Sequence, residues 1–189
     1  MGAACTSGIS AFTSRSVLAP VKILILGKQN SGKTFMLYSW KYGIDYILSI
    51  EPTSHFNVDT ITSQSGKKFL MYDLAGNIGY RIRPFLGGTN GVIYMLGVSG
   101  DDFLLSGEQE MIMQIIHERD LENIPVLFVI RRDKDAQESS PDLPENLLAS
   151  LDGRVWELLE VRSHCQEDAN LVLSVLEKLL TQSKVFEAN

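Results

Sequence analysis

The stretch VKILILGKQNSGKT, Val21 to Thr34, decides how the rest of the chain is read. Its first half is an apolar, β-branched run ending at Gly27, the pattern of a buried strand. From Lys33 the residues KTFMLYSWKYG set apolar side chains at helical spacing and stop at Gly43. Between them Gly27, Lys28, Gln29, Asn30, Ser31, Gly32, Lys33 and Thr34 satisfy G-x-x-x-x-G-K-[ST] in full, in the strand–loop–helix context the pattern requires. The chemistry needs these residue types. The glycines let successive backbone N–H groups turn toward phosphate oxygens, Lys33 can reach β- and γ-phosphates, and the Thr34 hydroxyl suits Mg²⁺. The helix start adds partial positive charge at the same place. A glycine-rich turn without chemistry is the bland alternative, and the flanking strand and helix argue against it. Nucleotide phosphates are the expected ligand.

Outward from this loop, FNVDTITSQSGKKFLMYDL (Phe56 to Leu74) predicts two strands joined by a turn at Ser65-Gly66. GVIYMLGV and IPVLFVI predict buried strands, with EQEMIMQIIHERDL an amphipathic helix between them. LPENLLASLDG predicts a helix, RVWELLEVRS a strand and EDANLVLSVLEKLLTQS a closing helix. Strands alternating with helices imply an α/β fold: a mostly parallel sheet of six strands, covered by helices on both faces, with the hairpin as one antiparallel edge. Residues 1–20, small and polar and ending at Pro20, are expected to form a flexible segment outside a single domain of residues 21–189.

Composition narrows the function classes. A 44% hydrophobic and 21% charged chain of 189 residues has the makings of one globular core. The net charge of −6 argues against nucleic-acid binding, which calls for a basic face. Two cysteines, Cys5 and Cys165, are too few for a disulfide framework and point to a reducing compartment, the cytosol. The apolar runs are strand-sized and too short to span a membrane, and no secretory leader is expected.

Two further stretches select a branch of phosphate-loop proteins: EPTSHFNVDT (Glu51 to Thr60) and YDLAGNIGYRIRP (Tyr72 to Pro84). With Pro52-Thr53, Phe56-Asn57-Val58-Asp59, Asp73-Leu74-Ala75-Gly76-Asn77 and Ile82-Arg83-Pro84, the chain resembles the Arf and Arf-like small GTPases. The likeness is carried by motifs from Val21 to Val98 and is looser beyond. It implies the small-GTPase version of the P-loop NTPase fold, GTP and GDP as ligands, and Mg²⁺ as cofactor. It implies that Thr53 joins Thr34 on the metal when a γ-phosphate is present, that Asp73 holds the metal through water, and that the Gly76 N–H meets the γ-phosphate. Loss of that phosphate would release both segments. Effector proteins, an exchange factor and a GTPase-activating protein are the implied partners.

Three departures bear on activity. Asn77 stands where the family's water-orienting glutamine is expected, with the same amide on a side chain one methylene shorter. Since positioning is most of phosphoryl-transfer catalysis, slow hydrolysis is expected, unless the inserted Ile78-Gly79 shifts the loop in compensation. RRDKD (Arg131 to Asp135) replaces the guanine-reading N-K-x-D. In one register Asp135 remains the reader, with Arg132 at the asparagine's place and Asp133 at the lysine's. In the other Lys134 keeps the stacking place and Ala136 replaces the reader. The first is preferred because it retains the specificity group. Around Ser163-His164-Cys165 the position fits the family's last base-contacting loop but the residues do not match, and His55 replaces a family glycine.

At the start, Met1-Gly2-Ala3-Ala4-Cys5-Thr6 fits M-G-x-x-x-[ST], so Gly2 is a candidate for myristoylation and Cys5 for palmitoylation. One acyl chain anchors only marginally, and Arg15 alone makes no polybasic signal. A cytoplasmic protein attached to the cytosolic face of a membrane is expected. The leading reading is a switch that cycles between GTP and GDP. Its rivals are a non-cycling pseudo-GTPase scaffold that binds nucleotide weakly, and an ATP-using phosphotransferase, for which no substrate lid is legible.

Overall fold

The computed structural model describes residues 20–97, 106–132, 143–162 and 164–183. Within them the chain forms β1 (Val21–Gly27), α1 (Lys33–Tyr42), β2 (Phe56–Thr62), β3 (Lys68–Leu74), α2 (Arg83–Leu86), β4 (Gly91–Gly97), α3 (Ser106–Ile116), β5 (Val126–Arg132), α4 (Glu145–Ser150), β6 (Trp156–Arg162) and α5 (Gln166–Gln182). The sheet has six strands in the order β2-β3-β1-β4-β5-β6. Only the β2–β3 pair is antiparallel, in register from Phe56 opposite Leu74 to Thr62 opposite Lys68. The expected sheet is therefore found, with the hairpin on one edge and its turn closed by Gly66 N–H donating to Ser63.

The strand sequences explain their places. β1 and β5 are apolar at nearly every position because each lies inside the sheet with helices on both faces. Alternation splits their side chains between two cores. Ile23, Ile25, Leu127 and Val129 pack with Met36 and Leu37 of α1 and with Val172 and Leu176 of α5. Leu24, Leu26, Phe128 and Ile130 pack with Ile112 and Ile115 of α3 and with Leu147 of α4. α5 buries Ala169, Val172, Leu173, Leu176, Leu179 and Leu180, a single apolar stripe at helical spacing. Trp40 Nε1 donates to the Ala169 carbonyl at 2.7 Å, and Gln166 Oε1 accepts from Ile44 N–H at 2.9 Å, so the end of α1 and the turn after it are tied to the start of α5.

α1 stops at Gly43, whose φ of 85° ends the helix while its N–H caps the Ser39 carbonyl. Short features escaped the sequence pattern, among them the 3-10 turns over Ile44–Tyr46 and Gly79–Ile82 and the one-turn α2 that follows the second. Pro84 sits in the first turn of α2, where its missing N–H forfeits no helical bond. Because β1, β3, β4, β5 and β6 run parallel, their carboxyl ends open on one edge of the sheet, the usual place for a ligand in such folds.

Candidate phosphate-binding site

At the carboxyl end of β1 the chain turns through Gly27 (φ 135°), Asn30 (φ 64°) and Gly32 (φ 94°) before entering α1. These positive φ values curl the loop around the helix N-terminus, as the motif requires. A side chain at Gly27 would meet the Met95 carbonyl oxygen 2.2 Å away, so the loop can sit against β4 only with glycine there. Lys33 is only 5% exposed. It lies back across the loop, with Nζ donating to the carbonyls of Gly27 (3.0 Å) and Lys28 (2.6 Å). Burial pushes its ammonium below the ordinary lysine value, opposed by the carboxylates of Asp73 and Glu108.

Opposite the loop stands Asp73, at the end of β3 and 0% exposed. Its Oδ2 accepts from Thr34 Oγ1 at 2.7 Å, Asn57 Nδ2 at 3.0 Å and Thr53 Oγ1 at 3.3 Å. The two threonine hydroxyls are 2.8 Å apart. With Thr34 donating to Asp73, the Thr53 proton is free to turn to either neighbour. Asp73 Oδ1 is buried without a hydrogen-bond partner among the described residues. Two hydroxyls and a carboxylate with an unused buried oxygen form the hard-oxygen set that Mg²⁺ favours when phosphates and water complete its shell. Thr34, Thr53 and Asp73, the residues expected at a metal, thus come from three separate segments and meet at one point.

The segment after β3 closes over the loop. A side chain at Gly76 would lie 2.0 Å from the Gln29 backbone nitrogen, so the two backbones touch there. Ala75 N–H donates to the His55 carbonyl at 2.9 Å, which ties this segment to the one carrying Thr53. Between them is a cleft of about 220 Å³, lined by Gln29, Gly32, Lys33, Thr34, Thr53 and Arg131 among others. A larger cavity, about 420 Å³, shares Gly76 with it and reaches Gly27 from the other side. That one is walled by apolar residues such as Leu26, Ile78, Ile82, Met111 and Ile115, with Arg83 and Arg119 among its polar lining.

Several expected residues stand apart from this cluster. Asn77 is exposed, and its carbonyl accepts from Arg81 Nη2 at 3.1 Å. His55 is also exposed, with Nδ1 3.1 Å from Ser54 Oγ. His164 (φ 59°) packs edge-on against Phe35, ring centroids 4.9 Å apart. Asp135, Ser163, Gly2 and Cys5 lie outside the described residues. Two features were not anticipated. Lys28 pairs at 2.9 Å with Glu108 of α3, a carboxylate 1% exposed. And of the two arginines ending β5 it is Arg131 that enters the cleft, while Arg132 pairs with Glu160 on β6.

Residues 10–181 match the profile of the ADP-ribosylation factor family. The chain belongs to that family. It is 28% identical over 143 residues to ADP-ribosylation factor-like protein 1 of Saccharomyces cerevisiae, a match covering 74% of this chain and 76% of the relative. ADP-ribosylation factor 1 of Brassica rapa subsp. pekinensis is 31% identical over 143 residues, with the same coverage. Among solved structures the fold is similar to that of the Arl6 (BBS3) small GTPase from Trypanosoma brucei with a bound nucleotide analogue, GppNp. There the TM-score is 0.68 at 18% identity, covering 87% of this chain and 99% of the other. The fold of this Arf-family chain is accordingly the P-loop small-GTPase fold.

The contact between Gly76 and Gln29 gives a direct test. Gly76→Ala puts a methyl group against backbone, which cannot swing aside, so residues 75–78 must lift away from the loop. Amide hydrogen exchange in those residues should speed up while exchange in β1 and β4 stays unchanged. Unaltered exchange at residues 75–78 would show that the two backbones do not press together in solution.

Proposed function

We propose that this Arf-family chain is a guanine-nucleotide switch that binds GTP and GDP with Mg²⁺, recruits effectors in the GTP state and hydrolyses GTP slowly. The observation that carries the reading is the buried meeting of Thr34, Thr53 and Asp73 beside the phosphate loop. Nothing in packing alone calls for two hydroxyls and a carboxylate from three segments at one point, whereas a hard cation bound to phosphates does. Thr34 and Thr53 would be its hydroxyl ligands, and Asp73 would hold it through water. The ion would supply charge neutralisation for the phosphates.

The chain's own groups do the rest. Loop N–H groups receive phosphate oxygens at the start of α1, and Lys33 leaves the carbonyls of Gly27 and Lys28 to reach them. Gly76 N–H donates to the γ-phosphate from the opposite side. When that phosphate is gone, Thr53 and Gly76 lose their reason to stay, and both segments are released to change the surface that effectors read. Slow hydrolysis follows from Asn77, whose amide is short by one methylene and stands exposed. Guanine reading is assigned to Asp135.

Mass spectrometry of the protein purified without added ligand should find GDP or GTP, and Lys33→Ala should abolish its retention. A wild-type protein that carries no nucleotide and takes up none in calorimetry would favour the scaffold reading instead. In single-turnover assays Asn77→Gln should raise GTP hydrolysis by up to about tenfold, equal to ~1.4 kcal/mol of barrier. An unchanged or lower rate would remove Asn77 from the role of orienting water.

Acylation of Gly2, followed by Cys5, belongs to the same proposal, because one acyl chain holds a membrane only marginally. In cell fractionation Gly2→Ala should leave the protein soluble, and Cys5→Ser should move most of it to the soluble fraction. A Gly2→Ala protein distributed like the wild type would mean that the N-terminus is no lipid anchor.

A further inference from the structure

We propose that Arg131 is a guanine-selecting residue, reading the O6 and N7 acceptors of the base from the end of β5; this rests on the nucleotide reading above. Three observations carry it. First, Arg131 is half-buried in the cleft, its guanidinium laid against the phosphate loop. A Cβ at Gly32 would lie 2.7 Å from its Nη1 and 3.1 Å from its Cζ. Second, no hydrogen bond or ion pair holds that guanidinium among the described residues, although Arg132 beside it is paired with Glu160. Strand alternation separates the two: Arg131 follows Leu127 and Val129 onto the α1 face, and Arg132 follows Phe128 and Ile130 onto the other. A partly desolvated arginine with idle donors in a ligand cleft is positioned for an acceptor-rich ligand.

Third, the sheet order says which part of the nucleotide passes it. Thr53, Asp73 and Gly76 gather on the β3 side of β1 and mark the terminal-phosphate end of the cleft. Arg131 lies on the opposite side, at the end of a strand separated from β1 by β4. The phosphates already have the loop N–H groups and Lys33, and the nucleoside must leave toward β5 and β6. Guanine presents two adjacent acceptors, O6 and N7, which match the two-pronged guanidinium. Adenine puts an amino donor where O6 would be and repels the same fork. Arg131 would thus work on the edge of the base that Asp135 does not read.

The test is calorimetry of GDP, 7-deaza-GDP and ADP, with Mg²⁺, on the full chain and on Arg131→Ala and Arg131→Lys, with melting curves to verify folding. The wild type should bind 7-deaza-GDP, which lacks the N7 acceptor, about tenfold more weakly than GDP, the worth of one charge-assisted hydrogen bond. Arg131→Ala should bind the two alike and lose about tenfold of its preference for GDP over ADP. Arg131→Lys, a point charge without the fork, should resemble Arg131→Ala. Equal weakening of all three ligands by Arg131→Ala, or full rescue by lysine, would make Arg131 a phosphate contact and overturn the proposal. Wild-type protein that binds GDP and 7-deaza-GDP equally would overturn it alone. Wild-type protein that binds none of the three would overturn the nucleotide reading and this proposal with it.

Discussion

The buried carboxylate of Asp73 is the constraint on which the site depends. A fully buried charge is costly unless hydrogen-bonded, and three donors converge on one of its oxygens. Each donor belongs to a different piece of backbone: Thr34 opens α1, Thr53 precedes β2 and Asn57 lies within β2. Asp73 itself is in register with Ile25 of β1 and with Asn57 of β2. Satisfying this one group fixes how far the phosphate loop stands from the hairpin. Asn57 takes part as a donor alone: its Nδ2 reaches the carboxylate at 3.0 Å and Thr53 Oγ1 at 3.3 Å, so one amide holds two members of the cluster.

The same region joins two segments that would otherwise move independently. Ala75 N–H bonded to the His55 carbonyl makes the end of β3 follow the segment ahead of β2. Phe56 and Phe85 stack edge to face with centroids 5.0 Å apart, extending the link to α2. Displacement on either side is therefore felt by the other through backbone and ring contacts. The Lys28–Glu108 pair adds a third tie, from the phosphate loop to α3. Removing Lys28 alone would strand the buried Glu108 carboxylate, whereas the lysine, partly exposed, could turn to solvent if the glutamate were removed.

Much of this was legible in the chain, and the reasons for the remainder are physical. The loop from Gly27 to Thr34 and the carboxylate of Asp73 could be read because their residue types and spacing are those that binding a phosphate and a hard cation would require. The strands could be read because both faces of the sheet are covered. That coverage also hid Arg131. β5 is apolar on both faces, so nothing in VLFVIRR says which arginine follows which face, and the register favoured from sequence put Arg132 at the family asparagine's place. Glu108 was hidden for another reason: its helix looks amphipathic with or without it, and its burial depends on a lysine far away in sequence. The short α2 carries too few residues to show a period.

The sheet order sets a schedule for how the protein comes into being. β2 and β3 are consecutive and can pair as a local hairpin, but β1, although made first, sits between β3 and β4. Its phosphate loop leans on Gly76, about a quarter of the chain downstream, and on the Met95 carbonyl of β4, more than a third of the chain downstream. During synthesis the first strand can pair on one edge once β3 has emerged, but its other edge must wait, apolar and unpaired, until the chain has passed residue 95. Non-local closure of this kind is slow, and until it happens the loop has no rigid back wall against which to hold a ligand. A nucleotide that stabilises the closed loop would then favour the folded chain over its precursors, coupling ligand supply to the yield of native protein.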